Sequence, residues 1–206
     1  MHSHFSALFN KLRQRNSTAG FSMIELMVSI GIIVLVLTIT LTRQSSFNSA
    51  VLLRSEAFDI ALAIREIQLS AVSASSDGSG QFRSTLGVHL NTTNPNEYIL
   101  FRDSTGGNKA YDPGETIGAA GIIDPRFEIS AIEAGGSSPD EVSVVFQRPN
   151  YDALFFDGSA NSIDEAAVQI TLRIKGTTDT TDASCGDQWR KIEITRAGQI
   201  TVANCP

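Results

Sequence analysis

Phe21–Leu41 reads FSMIELMVSIGIIVLVLTITL, a run in which Glu25 is the one charged side chain. Wound as an α-helix at about 1.5 Å per residue it reaches about 30 Å, the hydrocarbon thickness of a bilayer. The residues before it hold Lys11, Arg13 and Arg15 and no acid, so this leader carries three positive charges. Of the 16 basic and 22 acidic residues in the chain, 13 and 22 lie beyond the leader and give that part a charge of −9. The next basic residue after the apolar run is Arg43. Positive charge ahead of the run and none directly behind it predicts a single span with the N-terminus in the cytoplasm and the chain beyond about residue 43 outside.

A basic stretch followed by an apolar one is also the form of a cleavable secretory signal. Three features oppose that reading: the run exceeds the usual ~7–15 apolar residues, no small-x-small site closes it, and an acid sits five residues into it. An ordinary signal anchor accounts for everything except Glu25. A carboxylate at the centre of a membrane helix costs on the order of 2.5–3.5 kcal/mol even on lenient insertion scales, so an acid in such a run needs a functional partner.

Gly20-Phe21-Ser22-Met23-Ile24-Glu25-Leu26, behind a short basic leader and ahead of an unbroken apolar run, resembles the signal of type IV pilins and type II secretion pseudopilins. The resemblance implies that a membrane-embedded prepilin peptidase cuts between Gly20 and Phe21 and N-methylates Phe21. It also implies that Glu25 pairs with the free N-terminal amine of a neighbouring subunit during assembly on an inner-membrane platform. Partners would then be the peptidase, other pilin or pseudopilin subunits and, before assembly, membrane lipid. Two opposite charges buried together in an apolar core are tolerated when paired, and pairing fixes register. The segments Leu86–Leu90, Tyr98–Asp103 and Tyr111–Glu115 resemble the head of GspH/FimT-type minor subunits, which implies a subunit near a filament tip.

From Arg43 to about Val72 there is no Pro or Gly, and Phe47, Val51, Leu52, Phe58, Leu62, Ile67 and Leu69 recur among Arg54, Glu56, Asp59, Arg65 and Glu66. This predicts a helix with one wet face, continuous from Phe21 and about 78 Å long. The proline that bends many pilin stalks is absent around Arg43, between Thr42 and Gln44. The polar, glycine-containing stretch at residues 73–80 ends the helix. Beyond it, seven runs predict strands: 82–90, 98–102, 127–132, 141–147, 168–174, 189–194 and 199–202. The expected fold is α+β, a pilin-like lollipop with a long N-terminal helix on an antiparallel β-sheet or small sandwich. Its parts are a cleaved leader at 1–20, a membrane helix at 21–42, an amphipathic continuation at 43–73 and a head at 81–206.

At 42% apolar and 18% charged residues the chain is an ordered one that can bury a core, and two cysteines exclude a disulfide-built miniprotein. Cys185 and Cys205 both fall in the exported head, where oxidising conditions favour a disulfide across the last predicted hairpin. There is no GxSxG, HExxH, Walker loop or CxxC, and His89 stands alone on a predicted strand, so no enzyme is expected. The loop with Asp103, Asn108, Asp112 and Glu115 offers oxygens to Ca²⁺, although its spacing departs from an EF-hand and its residues are also ordinary turn formers. Asp152, Asp157, Asp164 and Glu165 form a looser acidic group. No other cofactor is expected. The alternative function is a head that binds DNA, as some relatives do through a C-terminal GRxR motif. This chain has Thr195-Arg196-Ala197-Gly198-Gln199 there, with Arg190 and Lys191 nearby, and its negative charge opposes phosphate binding.

Overall fold

The computed structural model describes residues 20–73, 85–104, 107–147, 149–178, 185 and 187–203, and within the helix it leaves the side chains of residues 42–47 undescribed. One helix, α1, runs Met23–Val72. By its contacts the chain divides into two units between Gln44 and Ser45, so α1 contributes to both.

In the first unit the apolar side chains of α1 from Met23 to Leu41 are exposed. Ser22 accepts the first helical bond, Leu26 N–H to Ser22 O at 3.1 Å, which makes it the N-cap, and Ser22-x-x-Glu25 has the form of a capping box. The few hydroxyls on this stretch are satisfied locally. Ser29 donates to Glu25 O at 2.7 Å and Thr38 to Val34 O at 2.8 Å, which leaves no hydroxyl of this pair for solvent.

In the second unit α1 presents Leu53, Ala57, Ile60, Ile64, Ile67 and Ala71 to the core at alternating steps of four and three. This corrects the single apolar face expected from the sequence. Val51, Phe58, Leu62 and Leu69, four of the residues read as the apolar recurrence, are exposed, Leu62 by 60%. At 100° per residue they stand opposite the buried stripe, so α1 carries two apolar stripes. The helix is fastened to the strands by buried Gln68, whose Nε2 donates to Tyr151 O at 3.0 Å and Gly198 O at 2.8 Å. Gly198 has φ +80°, and a Cβ there would lie 2.6 Å from that Nε2 and 2.0 Å from Tyr151 O. Both the turn and the close approach require glycine.

Ten strands follow: β1 (Thr85–Asn91), β2 (Glu97–Asp103), β3 (Gly121–Ile122), β4 (Phe127–Ala134), β5 (Glu141–Phe146), β6 (Ala153–Phe156), β7 (Ser162–Ile163), β8 (Ala167–Ile174), β9 (Trp189–Thr195) and β10 (Ile200–Val202). They form two antiparallel sheets, ordered β3-β2-β1-β5-β6-β7 and β10-β9-β8-β4. The fold is α+β. A strand lies in each of the seven expected ranges, while β3, β6 and β7 were not expected; residues 82–84 of the first range, and 74–80 of the expected linker, lie outside the described residues. One apolar core joins both sheets and the distal part of α1, with Leu86, Val88 and Leu90 on the inner face of β1. The outer face of β1 is buried too, because Phe101, Ala110 and Tyr111 fold over it. His89 lies there.

Candidate functional site

The N-terminal segment is defined by what its residues do not touch. A Cβ added at Gly20 would meet nothing within 4 Å, so the chain's own packing does not call for glycine at that position. Phe21 is 79% exposed, and the large apolar side chains from Met23 to Leu41 are exposed along the whole stretch. Met23–Leu41 is long and apolar enough to cross a membrane. Glu25 lies in the first turn of α1, where the helix dipole favours an acid. Residues 1–19, the basic leader, lie outside the described residues.

In the head, the loop proposed for Ca²⁺ is closed by its own backbone. Glu115 is buried; its Oε1 accepts the Ser104 N–H at 2.8 Å and its Oε2 the Asp112 N–H at 3.2 Å. Asp103 Oδ2 accepts the Lys109 N–H at 3.1 Å, and Asn108 Nδ2 donates to Asp112 Oδ2 at 3.0 Å. Burial pushes the Asp103 carboxyl up from its ordinary value, opposed by the Lys109 amide. Two members of the second acidic group, Asp157 and Asp152, are likewise spent on local bonds. Asp157 accepts the Ser159 and Asn161 N–H groups at 2.9 and 2.8 Å, which with the Asn161 side chain holds its carboxyl low. Asp152 accepts from Asn150 Nδ2 at 3.3 Å. Among the described residues no three His, Cys, Asp or Glu side chains are grouped to hold a metal ion.

The basic residues of the C-terminal region are not brought together. Arg190 and Lys191 are neighbours on β9 and point to opposite faces. Lys191 Nζ donates to Glu133 Oε2 at 2.6 Å and Gln169 Oε1 at 3.2 Å, and Arg196 pairs with Asp164. Arg190 is partly buried near Arg54, and burial first, then that like charge, lowers its pKa. Cys185 makes an isolated bridge to Trp189 and is not a free thiol; Cys205 lies outside the described residues.

A cleft that the sequence did not reveal opens on the outer face of the six-stranded sheet. His89 Nδ1 is 3.2 Å from Ser143 Oγ, the residue opposite it on β5, and Ser143 Oγ accepts the Tyr111 N–H at 3.1 Å. The His89 and Tyr111 rings lie 5.0 Å apart between centroids. Glu141 Oε2 is 3.6 Å from His89 Nε2 and accepts Asn91 Nδ2 at 3.0 Å. Burial nevertheless lowers the imidazole from its ordinary 6.5 to about 4, so the ring is neutral.

The prokaryotic N-terminal methylation motif matches residues 15–41, a span that holds Gly20, Phe21 and Glu25. No curated protein matches the chain. Among solved structures, the minor pseudopilin EpsH from the Type 2 Secretion System of Vibrio cholerae is similar at 12% identity and a TM-score of 0.39, over 73% of this chain and 95% of that one. A superposition that loose bears on neither fold nor function. What the chain shares with known proteins is therefore this methylation motif, which lies across the start of the long apolar helix α1.

Proposed function

We propose that the protein is a minor pilin or pseudopilin of the GspH/FimT kind, held in the cytoplasmic membrane with its N-terminus inside until it is drawn into a filament. The observation that supports this best is the apolar stretch of α1 from Met23 to Leu41, exposed throughout and charged only at Glu25. Such a surface must be covered, first by lipid and then by other subunits. Prepilin peptidase cuts between Gly20 and Phe21, and the amine so released on one subunit meets Glu25 of the next. The second apolar stripe, Val51-Phe58-Leu62-Leu69, gives the distal helix a further face for neighbours. It is bordered by Arg54 and Arg65 on one side and Asp59 and Glu66 on the other. A DNA-binding head has less support, since two of its three candidate cations are taken by carboxylates.

Expression with a prepilin peptidase should give a membrane-extracted chain that starts at N-methyl-Phe21, read by intact mass and N-terminal sequencing. A bulky residue at Gly20 should block the cut, and an unprocessed wild-type chain would overturn the assignment. Glu25→Val should be processed normally yet enter filaments at least about tenfold less well, the order set by losing one charge pair in hydrocarbon. Wild-type incorporation of that variant would remove the pairing role.

A further inference from the structure

The outer cleft is lined by strands and loops of the head, with no residue of α1 among its lining. Its floor is two rows of side chains running across β2, β1 and β5. Glu97, Asn91 and Glu141 form one row, and Ile99, His89 and Ser143 the next. Tyr111 and Pro113 wall it from the covering loop. The cavity is about 270 Å³, just under the ~300 Å³ at which small-molecule sites begin. It has room for one side chain or a short amine and not for a cofactor.

Among the described residues two carboxylates line this space and no Lys or Arg does. Glu141 is held in place on both sides. Asn91 binds its Oε2, and its Oε1 rests on Gly158, where a Cβ would come within 1.4 Å. That position therefore needs glycine for the carboxylate to sit where it does. His89 is more than nine-tenths buried, its Nδ1 is engaged by Ser143, and its Nε2 opens on the cleft beyond hydrogen-bond distance of Glu141. A neutral ring with Nδ1–H donated to Ser143 leaves the Nε2 lone pair to accept. Two carboxylates and an imidazole acceptor beside an aromatic face are complementary to a cation bearing N–H donors.

We propose that this cleft binds a primary ammonium or guanidinium group at the end of an aliphatic stem. Glu141 and His89 Nε2 accept its N–H groups, Glu97 adds charge at the mouth, and the stem lies against Tyr111. The group can arrive on a free amine or as the Lys or Arg side chain of a partner protein.

The test uses the full chain in detergent with His2 and His4 replaced by Gln, so that His89 supplies the one imidazole signal in NMR. Agmatine and the peptide acetyl-Gly-Arg-Gly-amide are titrated in, with a citrulline peptide as the neutral isostere. Saturable movement of the His89 ring signals by the cations, and not by citrulline, is expected. Tighter binding of the peptide would identify a protein-borne cation, and tighter binding of agmatine a free one. Glu141→Gln should weaken binding about tenfold, the effect of some 1.4 kcal/mol. Gly158→Ala should weaken it as well while leaving every carboxylate in the sequence. Equal response to citrulline, no saturable response to either cation, or unchanged binding in folded Glu141→Gln protein would overturn the proposal.

Discussion

His89 shows how one residue's chemistry is set by register. On β1 it alternates with Val88 and Leu90, so it faces away from the core, and the segment carrying Ala110 and Tyr111 then buries it on the other side. Its pKa in the fold, about 4, lies below the ordinary 6.5, so the unfolded chain binds that proton more tightly. The stability gained by keeping the ring neutral is complete above about pH 6.5. It is lost progressively as the pH falls toward 4, to a total of about 3 kcal/mol. Denaturant unfolding of wild type and His89→Gln between pH 7 and 4 should show the wild type falling more steeply; parallel slopes would show that the ring titrates normally. Glu25 stands out in the sequence because a single acid in an apolar run is conspicuous without any fold. The cleft does not, because His89 and Ser143 are 54 residues apart and meet only through the pairing of β1 with β5.

At the scale of elements, α1 was legible in extent and misread in facing. A run without Pro or Gly fixes a helix, but Val51, Phe58, Leu62 and Leu69 on one side and Leu53, Ala57, Ile60, Ile64, Ile67 and Ala71 on the other give periodicity on both. The buried side is the one that carries Ala57 and Ala71. Leu62→Glu separates the two roles. At 60% exposure the change should leave thermal unfolding within about 0.5 kcal/mol of wild type. Incorporation into filaments should nonetheless drop, as measured by co-purification with the other subunits; unimpaired incorporation would mean the outer stripe faces only solvent. The seven longer strands were legible from alternation. β3 and β7 have two residues each, too few to show a period, and β6 (ALFF) lay among acids that read as a loop.

For the whole molecule, the α+β arrangement followed from the order of patterns along the chain, helix first and strands after. Division of the strands into two sheets did not, because it depends on β5 returning beside β1 and β4 pairing with β8. The C-terminal hairpin of β9 and β10 lies between Cys185 and Cys205, so a bridge between them would fasten the end of the chain. Chain-entropy arithmetic for a loop of this size gives about 3 kcal/mol. Reductant should therefore lower the melting temperature by several degrees and raise the mass by about 2 Da as two thiols form. A mass that reductant leaves unchanged would mean the thiols are not paired with one another.

The strands at the margins of the sheets have a further consequence. An open strand edge is a template on which another chain can add, and long flat edges invite uncontrolled fibrous growth. Here β3 and β7 are two residues long and β10 three. The one long margin, β4, already commits Ile129 N–H to Pro95 O and Ala134 N–H to Ser137 O. Sheets edged in this way resist fusing with one another even at high local density.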